Sequence, residues 1–174
     1  MADTGWQYPG TVTGVWGGGN DWTAPNNVKL NDGSNATWAG SKFDGDQQDD
    51  GPALTTTNYG FSIPAGYVIQ GIETRIEGWT DGNVVSELAY FTVTSTEKRN
   101  DWTTLTTNPG NTHVYGSSTD RWGAVLTPDA VNATSFGWKY MIYDDVAPLN
   151  MAVDYMQMKI YYEPPPPIVI SIGT

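Results

Sequence analysis

The first side chains to consider are those that could catalyse a reaction. His113, Ser117 and Asp120 supply the three groups of a hydrolase triad, namely a base, a nucleophile and an orienting acid. The chain is rich in Ser, Thr and Asp, so such a grouping arises readily by chance. No Gly-x-Ser-x-Gly turn surrounds Ser117 or Ser118. The sequence therefore does not predict nucleophilic catalysis.

Paired carboxylates are a second catalytic arrangement, because glycosidases use two carboxyl groups about 5 to 9.5 Å apart. Glu73 and Glu77 lie four residues apart in a predicted strand, which separates them by roughly 13 Å. Arg75 lies between them. The trio predicts a solvent-facing, salt-linked surface, and we expect the protein not to be an enzyme.

The segment 44–50 could hold a metal ion, since four of its seven residues are carboxylates. These are Asp44, Asp46, Asp49 and Asp50. Ca²⁺ takes six to eight oxygen ligands, so the loop could supply part of a calcium site. It lacks the glycine that an EF-hand needs at its sixth position, where Asp49 stands. We expect a solvated acidic loop, with no cofactor required.

Composition excludes several other kinds of site and partner. The chain has no cysteine and one histidine, which excludes disulfides, zinc–sulfur sites and sites that need two histidines. Its net charge of −11 repels phosphate backbones, so no nucleic-acid partner is expected. No apolar run approaches the roughly 20 residues of a membrane helix, and no secretory signal is predicted at the N-terminus.

Aromatic residues are abundant, with 8 Trp, 10 Tyr and 4 Phe among 174 residues. Such side chains fill cores, make subunit contacts or stack against sugar rings. The candidates for sugar stacking, if exposed and coplanar, are Trp79, Trp102, Trp122 and Trp138. The competing expectation is that most of them lie in the core or in an interface.

The elements that must position these residues are strands. Residues 68–79 alternate, with Ile72, Thr74 and Ile76 on one face and the charged trio on the other. Residues 151–162 alternate too, with Asp154 expected on the same face as Met156. Further strands are predicted at 11–16, 58–63, 84–96, 113–115, 122–126 and 136–143, and one helical turn at 127–133. This pattern predicts an all-β fold, an antiparallel β-sandwich of jelly-roll-like form.

Three segments are expected along the chain: a Gly- and Trp-rich N-terminal arm at 1–26, the sandwich domain at 27–163, and a Pro-rich spacer with a short strand at 164–174. Four prolines form a stiff extended spacer, and a β-prone peptide beyond it can add a strand to a neighbour. The alternative is that this peptide lies on the surface or edge of its own domain. If the ends join subunits, the arm and the tail supply the contacts. These are Trp6, Tyr8, Trp16, Trp22, Ile168, Val169, Ile170 and Ile172.

Several motifs of the sequence resemble those of a known protein family. They are the run Asn58–Gly66, the segments Tyr115–Ser118 and Asp120–Gly123, the run Leu126–Ala133, and the closing strand Ala152–Tyr162. In this order they resemble a jelly-roll-like domain of tailed-bacteriophage virion proteins, over about residues 27–162. The resemblance implies a structural virion protein without a catalytic signature.

The resemblance sets the functional expectations. It implies either a capsid decoration (cement) protein or a fibre or tail component. We expect the first, as a homotrimer that contacts the major capsid protein on the outer surface of the virion after synthesis in the host cytoplasm. The alternative is a carbohydrate-binding or host-attachment module of a phage fibre or tail, with a glycan as its partner.

Overall fold

The computed structural model describes residues 1–14, 21–40, 53–80, 86–92, 110–143 and 149–167. The predictions for the acidic loop 44–50, for Trp16 and Trp102, and for Ile168, Val169, Ile170 and Ile172 lie outside these residues.

The described residues form nine strands and two short helices. The strands are β1 (Ala2–Asp3), β2 (Thr11–Thr13), β3 (Ala36–Gly40), β4 (Leu54–Thr57), β5 (Val68–Thr80), β6 (Ser86–Phe91), β7 (Thr112–Ser117), β8 (Gly137–Tyr143) and β9 (Leu149–Glu163). A 3₁₀ helix spans Pro25–Val28 and α1 spans Pro128–Asn132. Among the described residues, no helix has the length and apolarity to cross a membrane.

Two antiparallel sheets enclose the core. One has five strands in the order β1-β9-β5-β7, with β3 also paired to β9; the other has four, in the order β2-β4-β8-β6. On β5 the predicted alternation is confirmed, because Ile72, Thr74 and Ile76 are buried while the residues between them are half-exposed. The fold is an all-β, antiparallel, jelly-roll-like sandwich, as the strand pattern predicts.

A chain of hydrogen bonds crosses the centre of the core. The indole N–H of Trp138 donates to the hydroxyl of Tyr59 at 2.8 Å, and that hydroxyl donates to Thr56 Oγ1 at 2.7 Å. Thr56 Oγ1 in turn donates to the carbonyl of Trp138 at 2.9 Å. Burial raises the pKa of Tyr59, so its hydroxyl stays protonated and serves as both donor and acceptor.

The N-terminal residues belong to the sandwich, whereas the sequence predicted an arm outside it. β1 pairs with β9, and β2 pairs with β4, so the first strands lie one in each sheet. The unpaired edges of β9 and β4 offer backbone hydrogen bonds that an arm in solvent would not gain. Hydrophobic periodicity, the signal used for the prediction, is too weak in such short strands to reveal this pairing.

Two predicted strands are irregular segments instead. In 58–63, Asn58 and Gly60 have φ of 59° and 70°, which breaks an extended chain, and the strand in this region is β4 just before it. In 122–126, Trp122 and Gly123 have φ of 53° and 67°. The predicted helical turn is confirmed as α1, whose N-cap Thr127 accepts a hydrogen bond from the N–H of Ala130 at 3.2 Å.

Tyr59→Phe tests the core hydrogen-bond chain. The substitution keeps the ring but leaves the indole N–H of Trp138 buried without its acceptor, which costs about 1–3 kcal/mol. Urea unfolding should show a free energy of unfolding lower by that amount. Tyr67→Phe is the matched control, since Tyr67 packs at the core's margin, edge-on to Tyr162. Equal losses in both variants would contradict the account.

Candidate functional site

The outer face of the five-stranded sheet carries the candidate site. Strict alternation on β5 places Glu73, Arg75, Glu77 and Trp79 there, all of them half-exposed. We call this surface the outer face. Apart from Ala152 opposite Trp79, its neighbours on β9 are aromatic or polar, so that the face combines flat rings with hydrogen-bonding groups.

A β-bulge on β9 sets which residues of that strand reach the outer face. Between Glu77 and Gly78 of β5, the partner on β9 moves from Tyr155 to Val153, so Asp154 is an extra residue. Strict alternation from Tyr155 would place Val153 outside. The bulge turns Val153 into the core, where it is fully buried, and places Ala152 outside, opposite Trp79.

Asp154 is held at the bulge by a hydrogen bond to another part of the chain. Its carboxylate accepts a hydrogen bond from the backbone N–H of Gly33 at 3.1 Å. Asp154 itself is only 4% exposed. Asp154 is buried like Met156, whose face the sequence predicts for it, but the alternation along β9 restarts at the bulge. The bond ties the turn before β3 to β9, against which β3 then pairs.

The small side chains beyond the bulge create a groove of about 380 Å³. Trp79 forms one wall, and Ala39 and Ala152 contribute small apolar surfaces. The groove is also lined by Thr23, Thr37 and Asn150, which are exposed and bring two hydroxyls and an amide.

At the other end of the outer face, the ring of Trp6 lies on two cations. The guanidinium carbon of Arg75 is 4.3 Å from the ring centroid, and the ammonium nitrogen of Lys159 is 4.5 Å from it. Backbone hydrogen bonds before and after Trp6 in the chain hold this segment on β9. Thr4 N–H donates to Ile160 O at 3.0 Å, and Gln7 exchanges two hydrogen bonds with Met158.

The polar groups beneath Trp6 are paired with one another. Lys159 forms an ion pair with Glu73 at 2.8 Å, and Tyr161 donates a hydrogen bond to the same carboxylate at 2.9 Å. Arg75 Nε donates to Gln157 Oε1 at 2.6 Å. The salt-linked surface predicted from Glu73, Arg75 and Glu77 thus exists in part, with Lys159 as the cation for Glu73.

Glu77 lies between the groove and the Trp6 end. Burial raises its pKa, the nearby carboxylate of Asp154 raises it further, and a hydrogen bond from Tyr155 partly offsets both effects. The hydroxyl of Tyr155 also lies 3.1 Å from that of Thr112 on β7. The outer face is therefore linked by hydrogen bonds across three neighbouring strands.

The tryptophans predicted for sugar stacking lie in different environments, some at the surface and some in the core. Trp79 lines the groove, whereas Trp122 and Trp138 are 2% and 0% exposed and belong to the core. Trp22 is 4% exposed in the same core, so it is not available for the predicted contact with another subunit. Trp6 and Tyr8 lie against their own sheet, and their contact with a second subunit stays a prediction.

The catalytic candidates do not come together among the described residues, and the metal candidates of segment 44–50 lie outside them. His113 and Ser117 lie four residues apart on β7, roughly 13 Å along the strand. Asp120 instead accepts a hydrogen bond from the backbone N–H of Trp122 at 2.8 Å. Within the described part of the chain, no group of three or more His, Cys, Asp or Glu is placed to hold a metal ion.

Thr23, Thr37, Asn150 and Ala152 are site residues that the sequence analysis missed. They lie up to 129 positions apart in the chain. The bridge between Thr23 and Thr37 and the β3–β9 register bring them together, and the β5–β9 register adds Trp79. The sequence does place Trp79 on this face, because it continues the two-residue alternation of Glu73, Arg75 and Glu77 along β5.

No protein-family model and no curated protein matches the sequence. One solved structure, described as "CBM4 structure and function" (CBM denotes a carbohydrate-binding module), is similar over 88% of this chain and 93% of its own, with a TM-score of 0.47 and 13% sequence identity. At this similarity the likeness says nothing about function.

Glu77→Gln tests the electrostatics of the outer face. Because the pKa of Glu77 is raised in the native state, its contribution to stability is fully present below its ordinary pKa of 4.5 and is lost as the pH rises through the raised value. The melting temperature of the wild type should therefore fall relative to that of the variant over this interval. Thermal unfolding at a series of pH values measures it.

Asp154→Asn provides the control for this measurement. Without the Asp154 charge the pKa of Glu77 is raised less, so the difference between Glu and Gln at position 77 should shrink in that background. Parallel pH profiles for wild type and Glu77→Gln would show that Glu77 has no such shift.

Proposed function

We propose that this protein is a non-catalytic module that binds a neutral polysaccharide on the outer face of its five-stranded sheet. The groove beside Trp79 is the observation that carries the proposal. It combines one large half-exposed aromatic wall with small apolar and neutral polar side chains, on strands that hold them in place.

This lining suits a sugar ring. A pyranose has an apolar face of C–H groups, which packs on an aromatic ring, and a rim of hydroxyls that both donate and accept hydrogen bonds. Trp79 supplies the ring, and Thr23, Thr37 and Asn150 supply donors and acceptors at the rim of the groove. Ala39 and Ala152 leave the space that a sugar needs.

Charge favours a neutral ligand. The whole chain carries −11, and Glu73 and Glu77 lie on the outer face itself. Among the described residues, Arg75 and Lys159 on this face are engaged with Gln157, Glu73 and the ring of Trp6. A uronic acid or sulfated glycan would be repelled by this negative charge.

The carboxylates on the face support binding without hydrolysis. Glu73 and Glu77 are separated by four residues of one strand, roughly 13 Å, which exceeds the spacing of glycosidase acids. Glu73 is also held by Lys159 and Tyr161. Both features suit a surface that orders a ligand and leaves its bonds intact.

Trp79→Ala tests the proposal. Native affinity electrophoresis in gels that contain hydroxyethylcellulose, xylan, galactomannan or laminarin should retard the wild-type protein in at least one of them. The variant should lose that retardation, with affinity at least tenfold lower, because the stacking surface is gone. The loss of about 1.4 kcal/mol that this implies is typical for one aromatic contact.

Two comparisons make this test specific. Val125→Ala removes an apolar side chain that is 91% exposed in a turn after β7, and it should migrate like the wild type in every gel. Gels with polygalacturonate should retard neither protein. Retention of Trp79→Ala equal to that of the wild type would overturn the assignment of the groove.

A second candidate function is structural, as a subunit of a phage particle that contacts copies of itself and the major capsid protein. The observation that favours it is the end of the sandwich. β9 ends at Glu163, and all four prolines that follow, 164–167, are exposed and outside any strand. A run of four prolines forms a stiff, extended spacer.

Deletion of residues 164–174 tests the structural candidate. If the chain end joins subunits, light scattering should give a trimer for the full chain and a monomer for the shortened one. Equal masses for the two proteins would contradict it, and the deletion leaves the groove residues in place as an internal control for folding.

A further inference from the structure

Building on the proposed function, we propose that Trp6 forms a second sugar-binding subsite, so that the protein binds an extended stretch of polysaccharide chain across the outer face. The inference concerns a residue outside the groove, contributed by the N-terminal segment. It assigns the ligand class as a linear neutral chain, in contrast to a single sugar or a chain end.

The two ends of the outer face are too far apart for one sugar. Trp79 lies four residues beyond Arg75 on β5, which is roughly 13 Å at the rise of a strand. Trp6 lies over Arg75 and reaches Lys159 on β9. A ligand that contacts both Trp79 and Trp6 must therefore contain several sugar units.

The ring of Trp6 is positioned before any ligand arrives. Two cations hold it, and the backbone hydrogen bonds of Thr4 and Gln7 to β9 flank it. The ring remains half-exposed although Arg75 and Lys159 lie against it. Little conformational entropy is lost when a ligand packs on such a ring, which favours binding.

Tyr8 connects the two ends. Its ring is 37% exposed and stands edge-on to the ring of Tyr155, with centroids 6.4 Å apart. Tyr155 lies on β9 between Lys159, beneath Trp6, and Ala152, which pairs with Trp79. Aromatic side chains thus recur along β9, from the Trp6 end to the groove.

The experiment compares ligand length between variants. Isothermal titration calorimetry is performed with cello-, xylo-, manno- and laminari-oligosaccharides of two and six units, on wild type, Trp6→Ala, Trp6→Tyr and Trp79→Ala. In the wild type the hexamer of the bound series should bind at least tenfold more tightly than its dimer. Trp6→Ala should lose that gain while it keeps the affinity for the dimer, and Trp79→Ala should weaken both.

Trp6→Tyr separates loss of the subsite from loss of folding. It retains an aromatic ring over Arg75 and Lys159, so most of the gain with length should return. An unchanged ratio of hexamer to dimer affinity in Trp6→Ala would overturn the second subsite and leave the proposed function intact. Absence of binding by the wild type to all eight oligosaccharides would overturn both.

Discussion

One extra residue in the pairing of β9 with β5 determines which side chains the five-stranded sheet turns to solvent. With Asp154 accommodated as a bulge and bonded to Gly33, Val153 enters the core and Ala152 faces out. The groove beside Trp79 exists because a small residue then lies opposite a large one. A bulge that aims side chains near a site is a recurrent device of β-proteins.

The N-terminal segment completes the same surface by a different interaction. β1 and the residues after it pair along β9, and the indole of Trp6 then covers Arg75 and Lys159. Cations on a solvent-facing sheet would otherwise be open to anionic ligands. Both cations are thus engaged by a ring, an amide and a carboxylate, and the outer face between its two ends carries aromatic side chains.

Sequence periodicity predicts only part of this arrangement. It predicts β5 and its two faces, because Ile72, Thr74 and Ile76 alternate with Glu73, Arg75 and Glu77, and by the same phase it places Trp79 outside. It cannot predict the bulge, since Asp154 looks like one more alternating position until its partner strand is known. Nor can periodicity predict the contact between Trp6 and Lys159, 153 residues away, because a cation–π contact leaves no local pattern in the sequence.

The most direct test of the binding face uses the indole N–H signals of the eight tryptophans in a ¹⁵N–¹H NMR titration with the hexasaccharide that binds most tightly. The account predicts shifts for the indole signals of Trp79 and Trp6, with those of the buried Trp122 and Trp138 unchanged. Perturbation confined to tryptophans away from the outer face, with Trp79 unmoved, would contradict it.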